Sequence, residues 1–329
     1  MNPAKQAKSI ARNADSFQRR QGWLAFPYAV VRKFGEDQAG NLAALIAYYG
    51  FFSVFPLLLV LVTVLGMVLS GHPALQQRVL GSALAEFPVL GTQLKGNIGA
   101  MHGGGVTLAV GIALTLWSGL GVVKAAETAM NTVWNVPFKE RPTFLYATVR
   151  ALLMLAVLGI ITLAAAVVAG AGTGGGSWWQ AVLGVAASLL LNVVLFLVAF
   201  KILTAAPVGW AQLWPGAVLG AVAWTVLQAF GGYYVGHQLK SASEVYGTFA
   251  VVIGLLGWIY LGAQITLLAA EINVVRAKRL WPRSVVQEPP LTEADQRALR
   301  HYAEQEERRH DEDVHADFDH QPRQQRPAS

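Results

Sequence analysis

From Ala151 to Phe200 the chain carries no charged residue. Such a stretch does not suit a water-soluble protein, in which each exposed helix face needs polar cover. It is also too long for one membrane crossing, which takes roughly 20 predominantly apolar residues. The run Gly170-Ala171-Gly172-Thr173-Gly174-Gly175-Gly176-Ser177 divides it, because successive glycines disfavour helix and suit a turn. The segment therefore reads as two spans, Phe144 to Ala169 and Trp178 to Phe200.

The same reasoning finds four more spans. Leu42 to Leu69 is free of charge, and so is Val106 to Val123, whose helix should continue past Lys124 and Glu127 towards Trp134. Leu213 to Val235 is expected to open after Trp214-Pro215-Gly216, and Tyr246 to Val275 completes the set. The expected fold is all-α, a polytopic membrane protein of six transmembrane helices. Composition agrees: 54% of residues are hydrophobic and only 13% charged, against about 25% charged in soluble domains.

Basic residues collect on the cytoplasmic side of membrane proteins. Lys5, Lys8, Arg12, Arg19, Arg20, Arg32 and Lys33 precede the first span. Lys139 and Arg141 follow the second, Lys201 the fourth, and Arg276, Lys278, Arg279 and Arg283 the sixth. The opposite loops hold only Arg78, Lys95 and Lys240. Both termini are thus expected in the cytoplasm of a multi-pass protein. The net charge of +6 fits this bias, and no nucleic-acid motif accompanies it.

The chain divides into a basic segment at 1–36, a transmembrane domain at 37–282 and a largely disordered cytoplasmic tail at 283–329. Ser16 to Asp37 mixes aromatic with basic residues and suits a juxtamembrane amphipathic helix. A plain cytoplasmic lead-in fits as well. Pro73 to Gly99 is expected to form short amphipathic helices bent at Pro88. In the tail, Thr292 with Asp295 three residues on resembles a capping box for a short helix. His301, His310, His315 and His320 follow at spacings that match no defined metal site. No metal or cofactor is expected, and the absence of cysteine excludes disulfides and thiol chemistry.

Ionisable side chains are costly in lipid and usually face the bundle interior or snorkel to an interface. Asp37 and Asn41 open the first span; Lys124, Glu127 and Asn131 lie late in the second. Arg150 is near the start of the third, Lys201 ends the fourth, and Glu271 with Asn273 closes the sixth. Two readings stand: these nine converge on a polar cavity open to the cytoplasm, or each snorkels from its own helix end. Tyr48, Tyr49, Ser53, Pro56, Gln228, Tyr246 and Gln264 form a softer seam, which could line a pathway or simply pack helices.

Several of these segments resemble the YihY/BrkB family of bacterial inner-membrane proteins. Asn41-Leu42-Ala43-Ala44-Leu45-Ile46-Ala47-Tyr48-Tyr49, continuing through Phe52-Ser53-Val54-Phe55-Pro56-Leu57, is similar to its first-helix signature. Trp117-Ser118, Ala129-Met130-Asn131-Thr132-Val133-Trp134 and Arg141 resemble its second-helix pattern. Trp214-Pro215-Gly216-Ala217 matches the entry to its fifth helix. Tyr246-Gly247, Trp258-Ile259-Tyr260 and Ala270-Glu271-Ile272-Asn273 match the sixth. Ile46 departs conservatively from the family's usual leucine. The resemblance implies six helices with the amino terminus inside, and an association with the cell envelope and proposed lipid transport.

The family has also carried the label ribonuclease BN. The membrane core, with the isolated His237 and no clustered His/Asp motif, offers no site for a hydrolytic metal pair. An enzyme is not expected. The expectation is a transporter-like protein that moves or binds an anionic amphipathic envelope lipid through the polar cavity. The alternative is a non-transporting scaffold or assembly factor for the envelope. Expected partners are membrane lipids, with envelope proteins or a homo-oligomer as further candidates.

Overall fold

The computed structural model describes residues 15–19, 21–68, 105–143, 146–150, 153, 157, 160, 178–234, 248–286 and 291–318. Among them the structure is all-helical. In chain order the elements are α1 (Gly22–Glu36), α2 (Ala39–Val68), α3 (Gly105–Val133), a 3-10 turn at Phe138–Glu140, and α4, helical at 146–150, 153, 157 and 160. Then come α5 (Trp178–Leu203), α6 (Trp210–Tyr234), α7 (Thr248–Ala277) and α8 (Glu293–Gln305). The glycine run, Pro73 to Gly99 and Tyr246 lie outside the described residues.

Among the described residues, three helical stretches are long and apolar enough to cross a membrane: Val182–Leu203, Trp210–Gly231 and Val252–Ala277. The helices α2 and α3 span 30 and 29 residues, roughly 45 Å each at 1.5 Å per residue. They pack against each other, and α7 touches α1, α2, α3 and α6. On α4, α5 and α7, Leu153, Ile160, Val185, Leu190 and Ile253 point their apolar side chains outward, as a lipid-facing surface requires. Buried residues instead concentrate at one end of the bundle, around Met130, Val133, Phe200, Leu213, Leu267 and Val274. This is also where the charges gather.

The helix ends there are defined by backbone turns. Gln38, Asn135 and Arg279 take positive φ of 50, 48 and 53°, closing α1, α3 and α7 with left-handed residues. After α3 the Val136 N–H donates to the Asn131 carbonyl at 2.8 Å; after α7 the Leu280 N–H donates to Val275 at 2.9 Å. Beyond α8, Lys139 and Glu307 join the tail to the α3–α4 loop through a 2.7 Å ion pair and a backbone hydrogen bond.

One boundary differs from expectation. The fifth apolar helix starts at Trp210 rather than after Pro215, which lies inside it. Proline removes an amide and crowds the preceding turn, so the helix needs outside help at this point. Asn273 of α7 provides it, its side-chain oxygen accepting the Gly216 N–H at 2.7 Å. Glycine is required at 216: a Cβ there would lie 2.1 Å from the Ala269 carbonyl oxygen. The Pro215-Gly216 pair thus marks a tight α6–α7 crossing instead of a helix start.

Candidate functional site

The expected polar residues fall into two groups at the charged end of the bundle. The first surrounds the turn between α5 and α6. Asn131 on α3 accepts the Ala205 N–H at 2.9 Å. Arg150 on α4 donates to the Thr204 carbonyl at 2.8 Å, and Lys201 on α5 donates to the Val208 carbonyl at 2.5 Å. Glu127, one helical turn from Asn131, lies 3.9 Å from the Arg150 guanidinium. That distance permits attraction but not a hydrogen bond. The Arg150 side chain keeps 22% of its surface exposed, and Lys201 is half-buried near the Trp210 ring. Lys124 lies on the same α3 face as Glu127, three residues before it.

The second group is sealed. Lys33 on α1, with only 1% of its side chain exposed, donates to Asp37 at 2.5 Å and to the Val133 carbonyl at 2.8 Å. Its Nζ also lies 3.4 Å from Glu271 of α7, whose side chain is wholly buried. Tyr302 on α8 closes the group, its hydroxyl donating to the other Asp37 oxygen at 2.7 Å. Burial, reinforced by the Asp37 carboxylate, raises the Tyr302 phenol above its ordinary value, so it stays a donor. Two carboxylates against one ammonium within a dry interior make this group costly to open.

Asn273 belongs to neither group and serves the α6–α7 crossing. Asn41 faces solvent beside Gln38, 3.2 Å from its side-chain oxygen. Of the softer seam, Ser53 donates to the Gly50 carbonyl of its own helix at 2.8 Å, and Tyr48 stacks edge-on against Phe52. Tyr49 packs against Gly121, where a Cβ would sit 2.6 Å from its ring. Gln228 and Gln264 are half-buried, and Pro56 lies within the continuous helix α2.

Sequence reasoning missed a third cluster, made by the tail. Arg283, 1% exposed, donates to Asp295 at 2.7 Å and to both Glu36 oxygens at 2.9 and 3.0 Å. Arg32 pairs with Glu36 at 2.9 Å and Asp295 at 3.1 Å. Thr292 caps α8, accepting the Asp295 N–H at 3.1 Å, as the capping-box pattern predicts. Burial alone would raise the Asp295 carboxyl, but donors from Thr292, Arg283 and Ser284 outweigh it and hold it below its ordinary value. The only sequence signals were the Thr292–Asp295 spacing and the i,i+4 pairs Arg32–Glu36 and Lys33–Asp37. The partner of Arg283 across the tail had none.

Beside α8 lies a cavity of about 320 Å³. Its walls are the α3–α4 loop, the α5–α6 turn, the end of α7 and α8.

An all-helical chain with several spanning helices and its charges gathered at one end is a multi-pass membrane protein. The chain belongs to the BrkB family, also called YihY/BrkB: the family profile described as "Virulence factor BrkB" matches residues 30–290. It is similar to the inner membrane protein YhjD of Escherichia coli (strain K12), 26% identical over 286 residues, covering 80% of this chain and 84% of that one. It is 27% identical over 270 residues to the UPF0761 membrane protein Smlt0865 of Stenotrophomonas maltophilia (strain K279a), covering 76% of this chain but 60% of that longer protein. The UPF0761 membrane protein VV0203 of Vibrio vulnificus (strain YJ016) is 26% identical over 282 residues, covering 80% and 85%. No solved structure matches the chain. The protein is a multi-pass inner-membrane member of this family.

Proposed function

We propose that the protein binds, and in the course of transport moves, an anionic amphipathic lipid of the cell envelope, engaging its headgroup at the α5–α6 turn. The observation that carries this reading is the convergence of Arg150 and Lys201, both partly exposed, on the ends of apolar spanning helices. Arginine and lysine at headgroup depth are the natural ligands of phosphate and carboxylate groups. The apolar outer faces of α5 and α6 would accompany the acyl chains. Six spans with both termini cytoplasmic place this turn on the inner side, and the protein acts without covalent catalysis.

Native mass spectrometry of the purified protein tests the reading. Wild type should retain anionic lipids such as phosphatidylglycerol. The Arg150→Ala, Lys201→Ala double variant should lose most of them at unchanged thermal stability. Equal retention by the two proteins would remove the headgroup proposal.

A second reading, a scaffold whose tail recruits envelope proteins or a second copy of the chain, is favoured by one observation. Residues 306–318 follow α8 as an arm bearing exposed His310, Asp311, His315 and Asp317. Loss of cellular function on deleting 308–329, with lipid retention intact, would support that reading instead.

A further inference from the structure

The sealed group around Lys33 sets one ammonium against two carboxyl groups, and the two acids are not held alike. Asp37 accepts hydrogen bonds from Lys33 at 2.5 Å and from Tyr302 at 2.7 Å. Glu271 accepts none. Its side chain is wholly buried, both of its oxygens lack a hydrogen-bond partner, and the Lys33 Nζ stands at 3.4 Å. Lys33 already gives hydrogen bonds to Asp37 and to the Val133 carbonyl. An ionised carboxylate without hydrogen bonds in a dry interior is one of the costliest arrangements a protein can hold. A proton on Glu271 removes the surplus negative charge and converts an unanswered acceptor into a donor.

The surroundings supply no second cation for it. Among the described residues, only Lys33 comes within ion-pair distance of Glu271. The helices α2 and α6, both packed on α7, carry no charged side chain. On α3, Lys124 and Glu127 stand with Arg150. On α1, Arg32 and Glu36 turn to Asp295 and Arg283. Lys278, just beyond α7, donates to the Trp134 carbonyl at 2.7 Å. From α8, His301 faces Glu304 at 3.1 Å, and Tyr302 brings only a neutral hydroxyl, its ring 5.7 Å from the Lys33 Nζ.

We propose that Glu271 is a proton-binding site: the closed end of the bundle holds a proton on this carboxyl and releases it when α8 lifts away. Tyr302 couples the two events. Its hydroxyl is the α8 group that closes over Asp37, so undocking of α8 admits water to the group. A hydrated glutamate gives up its proton at neutral pH. By linkage each event favours the other: raising the pH loosens α8, and docking of α8 takes up a proton. The ligand is the hydrogen ion. The site stands apart from Arg150 and Lys201 and needs no lipid, so it is independent of the headgroup proposal.

The full-length protein in nanodiscs tests the site by infrared spectroscopy and hydrogen exchange. At neutral pH, wild type minus Glu271→Gln should show the carbonyl stretch of one protonated carboxyl, shifted in deuterated water. Absence of that band means that Glu271 is ionised and overturns the site. Glu271→Gln, neutral and of the same shape, should unfold at the wild-type temperature or above it. Asp37→Asn, which takes the hydrogen-bonded counter-charge from Lys33, should unfold earlier. Equal loss of stability in Glu271→Gln would show that its negative charge is needed, against the proposal. Deuterium uptake by α8 is then compared between wild type and Glu271→Gln from weakly acid to alkaline pH. Lys278, whose ammonium burial lowers to about 8, titrates in both proteins, so the ratio of the two uptake rates isolates Glu271. That ratio should climb with pH, by up to about tenfold per pH unit for one linked proton. A ratio that stays constant overturns the link to α8.

Discussion

Lys33 and Arg150 are both cations at the end of a membrane helix bundle, each beside a glutamate on a neighbouring helix, and their surroundings could hardly differ more. Lys33 is sealed, with hydrogen bonds to Asp37 and Val133 and Glu271 at 3.4 Å. Arg150 is anchored by one carbonyl, and its glutamate stands off at 3.9 Å with part of the guanidinium exposed. A buried cation with two hydrogen bonds and a second carboxylate beside it holds helices together and is expensive to remove, because its carboxylates would be left without a counter-charge. A charge held in place by one backbone contact and left partly open is available to a ligand. The comparison separates Asp37 and Glu271 from Arg150 and Lys201, which one of the two sequence readings gathered in a single cavity.

The largest break should come from the sealed side. Lys33→Ala strands Asp37 and Glu271 without their cation and should cost about 3–5 kcal/mol, read as loss of folded protein on size-exclusion chromatography or a steep fall in thermal unfolding temperature. On the open side, Arg150→Ala should leave unfolding nearly unchanged, since a partly exposed pair contributes at most about 1 kcal/mol. Equal destabilisation by the two would erase the distinction.

The Gly216→Ala variant should rank next, at about 1–3 kcal/mol or more, because overpacking the α6–α7 crossing forces the backbones apart. Its effect should appear as lowered thermal stability in detergent, with no change in the lipids retained. A smaller cost, about 1 kcal/mol, is expected for Thr292→Ala through loss of the α8 cap. Limited proteolysis should then cut the tail faster while the spanning helices stay intact.

Tail docking should also respond to acid, and the sign follows from Asp295. Its folded carboxyl lies below the ordinary value of 3.8, so the unfolded form takes up protons first as pH falls. The stabilisation is complete above the ordinary value and is lost as pH drops through the folded one. Protection of the tail from an acid-active protease should therefore hold at pH 5 and fail well below 4. Arg309→Ala, which removes an exposed pair with Asp311, should change nothing measurable.

The spanning character and the basic bias were legible because they are properties of long stretches. The charge-free run from Ala151 to Phe200 needs no partner to be read, and neither does the local Thr292–Asp295 cap. Family membership was legible too, since its signatures are contiguous. What could not be read were contacts set by tertiary packing. Nothing local distinguishes Glu271, facing Lys33 from another helix, from Glu127, facing Arg150. Pro215 looked like a helix start because its rescue by Asn273 comes from a residue far along the chain. Arg283 looked like one more inner-side cation until α8 folded back onto it.

Because the chain has no cysteine, the division between sealed and open charges can be measured with single introduced thiols. Glu271→Cys leaves Lys33 paired with Asp37, and Arg150→Cys leaves the α5–α6 turn intact. Treated with a small charged thiol reagent in nanodiscs, Arg150→Cys should react readily, while Glu271→Cys should stay unmodified until the protein unfolds. Rapid labelling of Glu271→Cys in the folded protein, or an Arg150→Cys thiol as inert as Glu271→Cys, would contradict the account.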